Sequence, residues 1–179
     1  MEIVETPLKD CFIIKTKVHG DDRGFFLESF NQRELNKAGI DFEVKQINFA
    51  KSEKNVLRGL HFQKSPYAQT KLVGVMSGSV IDVVVDLRQE STTFKQHFTL
   101  KIDSRDTFLI VPKGFAHGYY TLKDETLFYY AVDNFYQPEA ESGLIYNDPE
   151  LKIDWGLIGL PIISEKDKNQ PSLNEAHVF

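Results

Sequence analysis

One cysteine, Cys11, occurs in the 179 residues of this chain. A single thiol excludes an intramolecular disulfide and any metal cluster built on several thiolates. Positive charge is scarce as well. Twenty-one Lys and Arg face 26 Asp and Glu, leaving a formal net charge of −5. A basic face broad enough to track nucleic acid is therefore not expected, although a few local arginines and lysines suffice to hold a small anion. No apolar run approaches the roughly 20 residues a membrane helix needs. The N-terminus shows no basic segment leading into an apolar one. The expectation is a cytoplasmic protein with no membrane and no nucleic-acid partner. The glycine fingerprint of a dinucleotide-binding turn is missing, so a nicotinamide cofactor is not expected. A histidine-based metal site is not expected either. It usually needs two histidines one residue apart, and the position two after His61 is Gln63.

What is present fits an ordinary globular composition, with 41% hydrophobic and 26% charged residues. The length suggests one domain able to bury a core without staples. Most of the chain reads as short strands. Residues 71–76 and 79–87 are two strand-like runs broken at Ser77-Gly78, a dipeptide suited to a tight hairpin. In the second run Ile81, Val83, Val85 and Leu87 share one face, while Asp82 and Asp86 share the other with Val80 and Val84. A face mixing carboxylates with valines suits the inside of a barrel that holds a ligand. Phe98, Leu100 and Ile102 alternate with polar residues, and 107–111 and 126–132 are rich in β-branched and aromatic side chains. Helical signal is sparse. Asn31 can cap a helix over 32–38 that stops at Gly39, and short helical turns are expected at 148–151 and 164–167. The tail after Lys168 reads as irregular. The pattern predicts a mainly β jelly roll or barrel with a few short helices.

Four segments carry candidate chemistry. In Asp21-Asp22-Arg23-Gly24-Phe25-Phe26 an arginine sits on a plausible turn. It is either part of a solvated hairpin or a bidentate phosphate ligand. In Val56-Leu57-Arg58-Gly59-Leu60-His61-Phe62-Gln63 polar groups interrupt an apolar strand. Arg58 and His61 cannot both be buried there without partners, and an imidazole can act as a base near neutral pH. Val111-Pro112-Lys113-Gly114-Phe115-Ala116-His117-Gly118-Tyr119 is either a rigid loop or a place where His117 reaches a cavity wall. The stretch 128–148 offers Tyr129, Tyr130, Tyr136, Glu139 and Glu141. Such a stripe is either core or a source of phenol proton donors and ring faces for a nucleobase.

Taken together these segments resemble one family. Arg23-Gly24-Phe25-Phe26 with Glu28, then Gln46 and Asn48, then Val56-Leu57-Arg58-Gly59-Leu60-His61, then Tyr67-Ala68-Gln69 with Lys71-Leu72-Val73, are similar to the RmlC-type nucleotide-sugar epimerases. So are Gly114-Phe115-Ala116-His117-Gly118, Asn134-Phe135-Tyr136 with Pro138-Glu139, Asn147-Asp148-Pro149 and Ser164-Glu165-Lys166-Asp167. The matches run in order along nearly the whole chain. The resemblance implies a cupin-like jelly roll with its core over about 40–135, in a homodimer that exchanges N-terminal strands. It implies epimerisation at C3 and C5 of dTDP-4-dehydro-6-deoxy-D-glucose, without a metal or redox cofactor, the alternatives being inversion of C3 or C5 alone on a related nucleotide-linked 4-keto sugar and a non-catalytic sugar-binding protein. His61 falls on the family's base, Asp167 on its partner, Tyr130 on the proton donor and Lys71 on the lysine near the sugar. Arg58 falls on an arginine near the phosphates. Arg23, Phe26, Glu28, Gln46 and Asn48 fall on nucleotide-binding residues, with the segment from Arg23 to Glu28 reaching the neighbouring subunit. His117, Tyr136 and Glu141 complete the expected substrate-binding set. Ala50 stands where many members have serine, and Gly156 follows Trp155 where proline is common.

Overall fold

The alternation along residues 79–87 decides the architecture. Val80 and Val84 join a core lying between two sheets, and Val83, Val85 and Leu87 join a second core on the outside. The computed structural model describes all 179 residues. It begins with strands β1 (Glu2–Glu5), β2 (Phe12–Lys15), β3 (Val18–Asp21) and β4 (Gly24–Leu27), followed by helix α1 (Gln32–Lys37). Then come β5 (Gln46–Ser52), β6 (Leu57–Gln63), β7 (Lys71–Ser77), β8 (Val80–Asp86) and β9 (His97–Ile102). The last strands are β10 (Thr107–Val111), β11 (Phe115–Thr121), β12 (Thr126–Val132) and β13 (Glu141–Gly143), the last preceded by a 3-10 turn at Pro138–Ala140. Helix α2 (Glu165–Lys168) closes the set. No helix is long and apolar enough to cross a membrane.

One sheet has six strands in the order β1-β2-β10-β7-β12-β5, a second has five in the order β13-β6-β11-β8-β9, and β3 and β4 form a separate two-stranded hairpin. Nearly every connection from β5 to β13 crosses from one sheet to the other; only β8 and β9 are adjacent in both chain and sheet. All the named pairings are antiparallel. This is a cupin-like jelly roll. Between the sheets, Val73, Val75, Leu109 and Phe128 meet Val80, Val84, Ile102 and Phe115. Burying each such side chain stabilises the fold by about 1.5–3 kcal/mol. Outside the five-stranded sheet, Leu57, Leu60 and Tyr120 pack on Leu144, Leu151, Trp155 and Leu173 of the C-terminal segment. Outside the six-stranded sheet, Leu72, Phe108 and Ile110 are covered by Leu35, Ile40 and Phe42.

Two local expectations change. Ser77-Gly78 does not make a hairpin. Strands β7 and β8 belong to different sheets, so the break is a corner between them. Gly78 supplies the positive φ of 91°, and a Cβ there would lie 2.1 Å from Thr126 Oγ1. The stretch 148–151 forms a turn, not a helix. Asp148 Oδ1 accepts from the N–H groups of Glu150 and Leu151, its Oδ2 accepts from Leu173 N, and Lys152 leaves the helical region with φ 50°. The other two helices lie where expected. Asn31 accepts from Arg33 N and Glu34 N at the start of α1, and Gly39 follows its end with φ 76°. Ser164 caps α2.

Candidate active site

The site begins with an irregularity in β6. In a regular strand, residues three apart face opposite ways, so Arg58 and His61 should diverge. Gly59 breaks the alternation with φ 128°. Here β6 and β11 run so close that a Cβ on Gly59 would lie 2.5 Å from Gly118 Cα. The β11–β6 register shifts between His117 and Tyr119. As a result Arg58 and His61 both line one cavity of about 590 Å³ between the sheets.

His61 is held from behind. Its Nε2 lies 2.7 Å from Asp167 Oδ1, and Asp167 Oδ2 accepts from Gly59 N at 3.1 Å. Asp167 is 3% exposed. Its backbone N–H is donated to Ser164 Oγ, so α2 fixes the carboxylate. Burial pushes this carboxyl up. The hydrogen bond and charge of His61, with the N–H of Gly59, outweigh that and hold it below the ordinary range. An ionised Asp167 requires the proton on Nε2, which leaves the Nδ1 lone pair as the basic position.

The facing sheet supplies two more of the expected residues. Lys71 on β7 and Tyr130 on β12 line the same cavity. Lys71 Nζ donates to the carbonyl of His61 at 3.2 Å. Burial pushes its ammonium down to about 8, against the pull of Asp82 and Glu141. Burial raises the Tyr130 phenol above its ordinary value, with Arg58 opposing and Glu141 adding to the rise. Tyr130 therefore stays protonated at neutral pH. An imidazole lone pair and a phenol proton thus enter one cavity from opposite sheets.

The rim is polar. Tyr136 donates to Glu141 Oε2 at 2.6 Å, and that bond lifts its phenol to about 12. Glu141 also pairs with Lys166, and although burial raises it, these two partners hold it below the ordinary range. Arg58 Nε donates to Ser52 Oγ at 3.1 Å. His117 reaches the cavity wall, but its Nε2 is engaged by Asp82 Oδ2 at 2.9 Å. It is a buried, partnered group more than a free ligand contact. Groups of three His, Cys, Asp or Glu that could hold a metal ion do not occur.

Five expected binding residues lie off this cavity. Gln46 and Asn48 sit on the inward face of β5, joined by a 2.8 Å bond, and Gln46 Oε1 accepts from Tyr136 N. Arg23, Phe26 and Glu28 belong to the β3–β4 hairpin and the residues just after it. Arg23 pairs with Asp21 while its side chain remains 90% exposed, and Phe26 is 69% exposed. Within one chain, therefore, His61, Lys71, Tyr130, Asp167, Arg58, His117, Tyr136 and Glu141 converge, and the hairpin residues do not.

Several residues at the cavity wall or just behind it were not singled out in the sequence. Asp82 was placed on the inner face by the β8 alternation, but its histidine partner was not foreseen. Gln63 is buried, donates to the carbonyls of Tyr67 and Phe135, and accepts from Gln137 N, tying the rim to β6. Lys166 and Tyr119 also line the cavity. Tyr119 lies two residues after His117 and so shares its inward face.

A family model described as dTDP-4-dehydrorhamnose 3,5-epimerase matches residues 5–175. A protein of that name from Shigella flexneri is 42% identical over 181 residues, covering 100% of this chain and 99% of its own. The structure is similar to that of the Bacillus anthracis dTDP-4-dehydrorhamnose 3,5-epimerase with TDP and pyrophosphate bound. That similarity has a TM-score of 0.91 at 44% identity, over 96% of this chain and 99% of that one. It is similar also to dTDP-6-deoxy-D-glucose-3,5-epimerase RmlC from Legionella pneumophila in complex with dTDP-4-keto-L-rhamnose. There the TM-score is 0.93 at 41% identity, over 97% of this chain and 93% of that one.

Proposed function

The chain belongs to the dTDP-4-dehydrorhamnose 3,5-epimerase family, and from that premise we propose how its cavity carries out the reaction. The enzyme is an isomerase that inverts C3 and C5 of dTDP-4-dehydro-6-deoxy-D-glucose, giving dTDP-4-dehydro-L-rhamnose in dTDP-L-rhamnose synthesis. The observation that carries the reading is the His61–Asp167 pair on one sheet facing Tyr130 and Lys71 on the other, around one cavity.

The 4-keto group acidifies the C–H bonds on either side of it. His61 Nδ1 removes the proton from C3 or C5, and the bond's electron pair moves into an enolate. Asp167 stabilises the imidazolium and keeps the ring in the reactive tautomer. The Lys71 ammonium faces the developing enolate oxygen, and a positioned donor of this kind is often a large catalytic contribution. Tyr130 returns a proton to the opposite face of the same carbon, and the centre is inverted. No hydride moves, so the route asks for no redox cofactor. Arg58 takes the nucleotide diphosphate end, and Tyr136 and Glu141, with Lys166 paired to Glu141, line the rim beside the substrate.

We place Arg23, Phe26 and Glu28 in the site of a second copy of the chain. What supports this is the surface itself. The hairpin leaves Phe25 and Phe26 55% and 69% exposed, and the outward face of edge strand β5 leaves Ile47 and Phe49 54% and 60% exposed. Apolar groups left exposed on a hairpin and along an edge strand are the kind of surface a partner covers.

The test is incubation with dTDP-4-dehydro-6-deoxy-D-glucose in deuterium oxide, following both carbons by NMR. Label at C3 and C5 with conversion to the rhamno sugar is expected. Label at only one carbon replaces the reading with a mono-epimerase, and no label at either removes the substrate assignment.

A further inference from the structure

Strand β11 brings one polar group into the cavity that the reaction scheme leaves unused. Tyr119 points inward beside His117, opposite Asp82 on β8. Its ring stacks on Phe128 of the facing sheet, with centroids 4.0 Å apart and planes 16° from parallel. The side chain lines the cavity and the residue is 5% exposed. Its hydroxyl is buried and has no hydrogen-bond partner. The charged and polar groups around it are Ser52, Arg58, Tyr130 and Asp82. Ser52 is its nearest hydrogen-bonding neighbour, close enough to oppose the effect of burial but not in a geometry that satisfies the phenol, and Ser52 Oγ also accepts from Arg58 Nε while Asp82 is engaged by His117.

A phenol hydroxyl buried without a partner destabilises a fold, and a phenylalanine of the same shape would not. An unused donor is nonetheless an asset where negative charge appears during turnover, because it acts in the transition state and not before it. Such a charge arises in the cavity that Tyr119 and Tyr130 both line, their ring centroids lying 4.0 and 6.4 Å from that of Phe128. When Tyr130 gives its proton to the sugar carbon, its O–H bond breaks and a C–H bond forms with the enolate electron pair. The electron pair of the O–H bond stays on the Tyr130 oxygen. Burial raises the Tyr119 hydroxyl above its ordinary pKa, so it remains a donor.

We propose that Tyr119 is a positioning residue for the acid step, its free hydroxyl serving, with Arg58, the oxygen of Tyr130 as that oxygen becomes a phenolate. This rests on the assignment of Tyr130 as the acid. It adds a function for a residue that touches neither the base nor the enolate oxygen.

The experiment is Tyr119→Phe, which keeps the ring stack and removes only the oxygen. The expected result is a kcat lowered about 10-fold or more, as for loss of one preorganised donor, with KM within about twofold of the parent. The melting temperature is expected to be unchanged or higher. Deuterium exchange at the carbon facing His61 persists while inversion slows. On a Tyr130→Phe background the substitution adds no further loss, since both changes act through one oxygen. Tyr119→Met gives a second hydroxyl-free version should the first fold poorly. A wild-type kcat in either variant, or a loss that multiplies fully with that of Tyr130→Phe, overturns the proposal while leaving the epimerase reading intact. A parent enzyme that takes up no label from the sugar overturns both.

Discussion

His61 and Asp167 are separated by 106 positions in the chain, yet Nε2 of one lies 2.7 Å from Oδ1 of the other. In the proposed mechanism neither β6 nor α2 makes a base alone. The strand aims the imidazole, and the helix delivers a buried carboxylate that fixes which nitrogen carries the proton. Asp167→Asn keeps the shape and can still accept from Gly59 N, but it no longer stabilises an imidazolium. We expect kcat to fall about 10²–10⁴-fold, the usual range for general acid–base catalysis, with an unchanged circular-dichroism spectrum. Steady-state turnover and deuterium uptake check this. A fall of less than threefold would show that the carboxylate is structural.

Tyr130→Phe separates the two halves of the reaction. The base remains, so the carbon facing His61 should still exchange its proton with solvent. The acid is gone, so inversion should fall by about 10²–10⁴-fold to a small residual rate. NMR of the recovered sugar is expected to show label with the original configuration. Parent-like production of the rhamno sugar by this variant would remove Tyr130 from the acid role.

Lys71 gives opposite pH signs for activity and stability. Its folded pKa is about 8, against roughly 10.4 in an unfolded chain. Above pH 8 the site loses the positive charge that faces the enolate oxygen, so kcat/KM should fall as pH rises through about 8. Between pH 8 and roughly 10.4 the unfolded chain binds more protons than the folded one. Linkage then makes this residue's contribution to unfolding free energy grow with pH. Below pH 8 the buried ammonium costs stability in full. Lys71→Met should therefore be inactive yet more stable than the parent at pH 7, with that advantage shrinking above pH 8. Paired denaturant titrations at pH 7 and pH 9.5 measure it, and a constant difference between the two proteins would refute it.

Gly59 is where sequence and site meet most tightly. Its positive φ and the 2.5 Å approach to Gly118 leave no space for a methyl group. Gly59→Ala must separate β6 from β11 or rotate the Arg58–His61 segment. Backbone strain in this region costs about 1–3 kcal/mol, and 1 kcal/mol shifts the melting temperature of a protein this size by about 2–4 °C. A melting point lowered by several degrees, together with lost activity, is expected in a thermal scan. A variant with parent-like melting and turnover would show that the two strands have room to move.

How much of this was legible in the chain differs by element. The β8 alternation revealed the inner face because a strand's period of two leaves a regular trace. Asn31 and Ser164 marked helix starts because side-chain capping is local chemistry. Ser77-Gly78 misled for a related reason: the dipeptide reports a sharp change of direction and says nothing about whether the next strand pairs with the last. The pairing of His117 with Asp82 was hidden because a contact between neighbouring strands depends on their register, which neither strand's own pattern reveals. That Arg23, Phe26 and Glu28 would lie away from their own chain's cavity was expected from the family resemblance alone, since nothing in a turn motif says which copy of the chain it serves.

That last question admits a sharp test. If the β3–β4 hairpin reaches into the partner's cavity, one working site draws Arg23 from one subunit and His61 from the other. Arg23→Ala and His61→Asn chains are each expected to form homodimers with little activity at low substrate concentration. In a mixed dimer, one site combines the intact Arg23 of the His61→Asn chain with the intact His61 of the Arg23→Ala chain. The other site carries both defects. Co-expression with two affinity tags and purification through both isolates this mixed species. Its activity should recover to about half that of the parent dimer, because one of its two sites is whole. If instead each chain supplied its own arginine, every site in the mixed dimer would keep one defect and the activity would stay at the level of the two variants. Recovery thus reports where the guanidinium acts, independently of how strongly it holds the nucleotide.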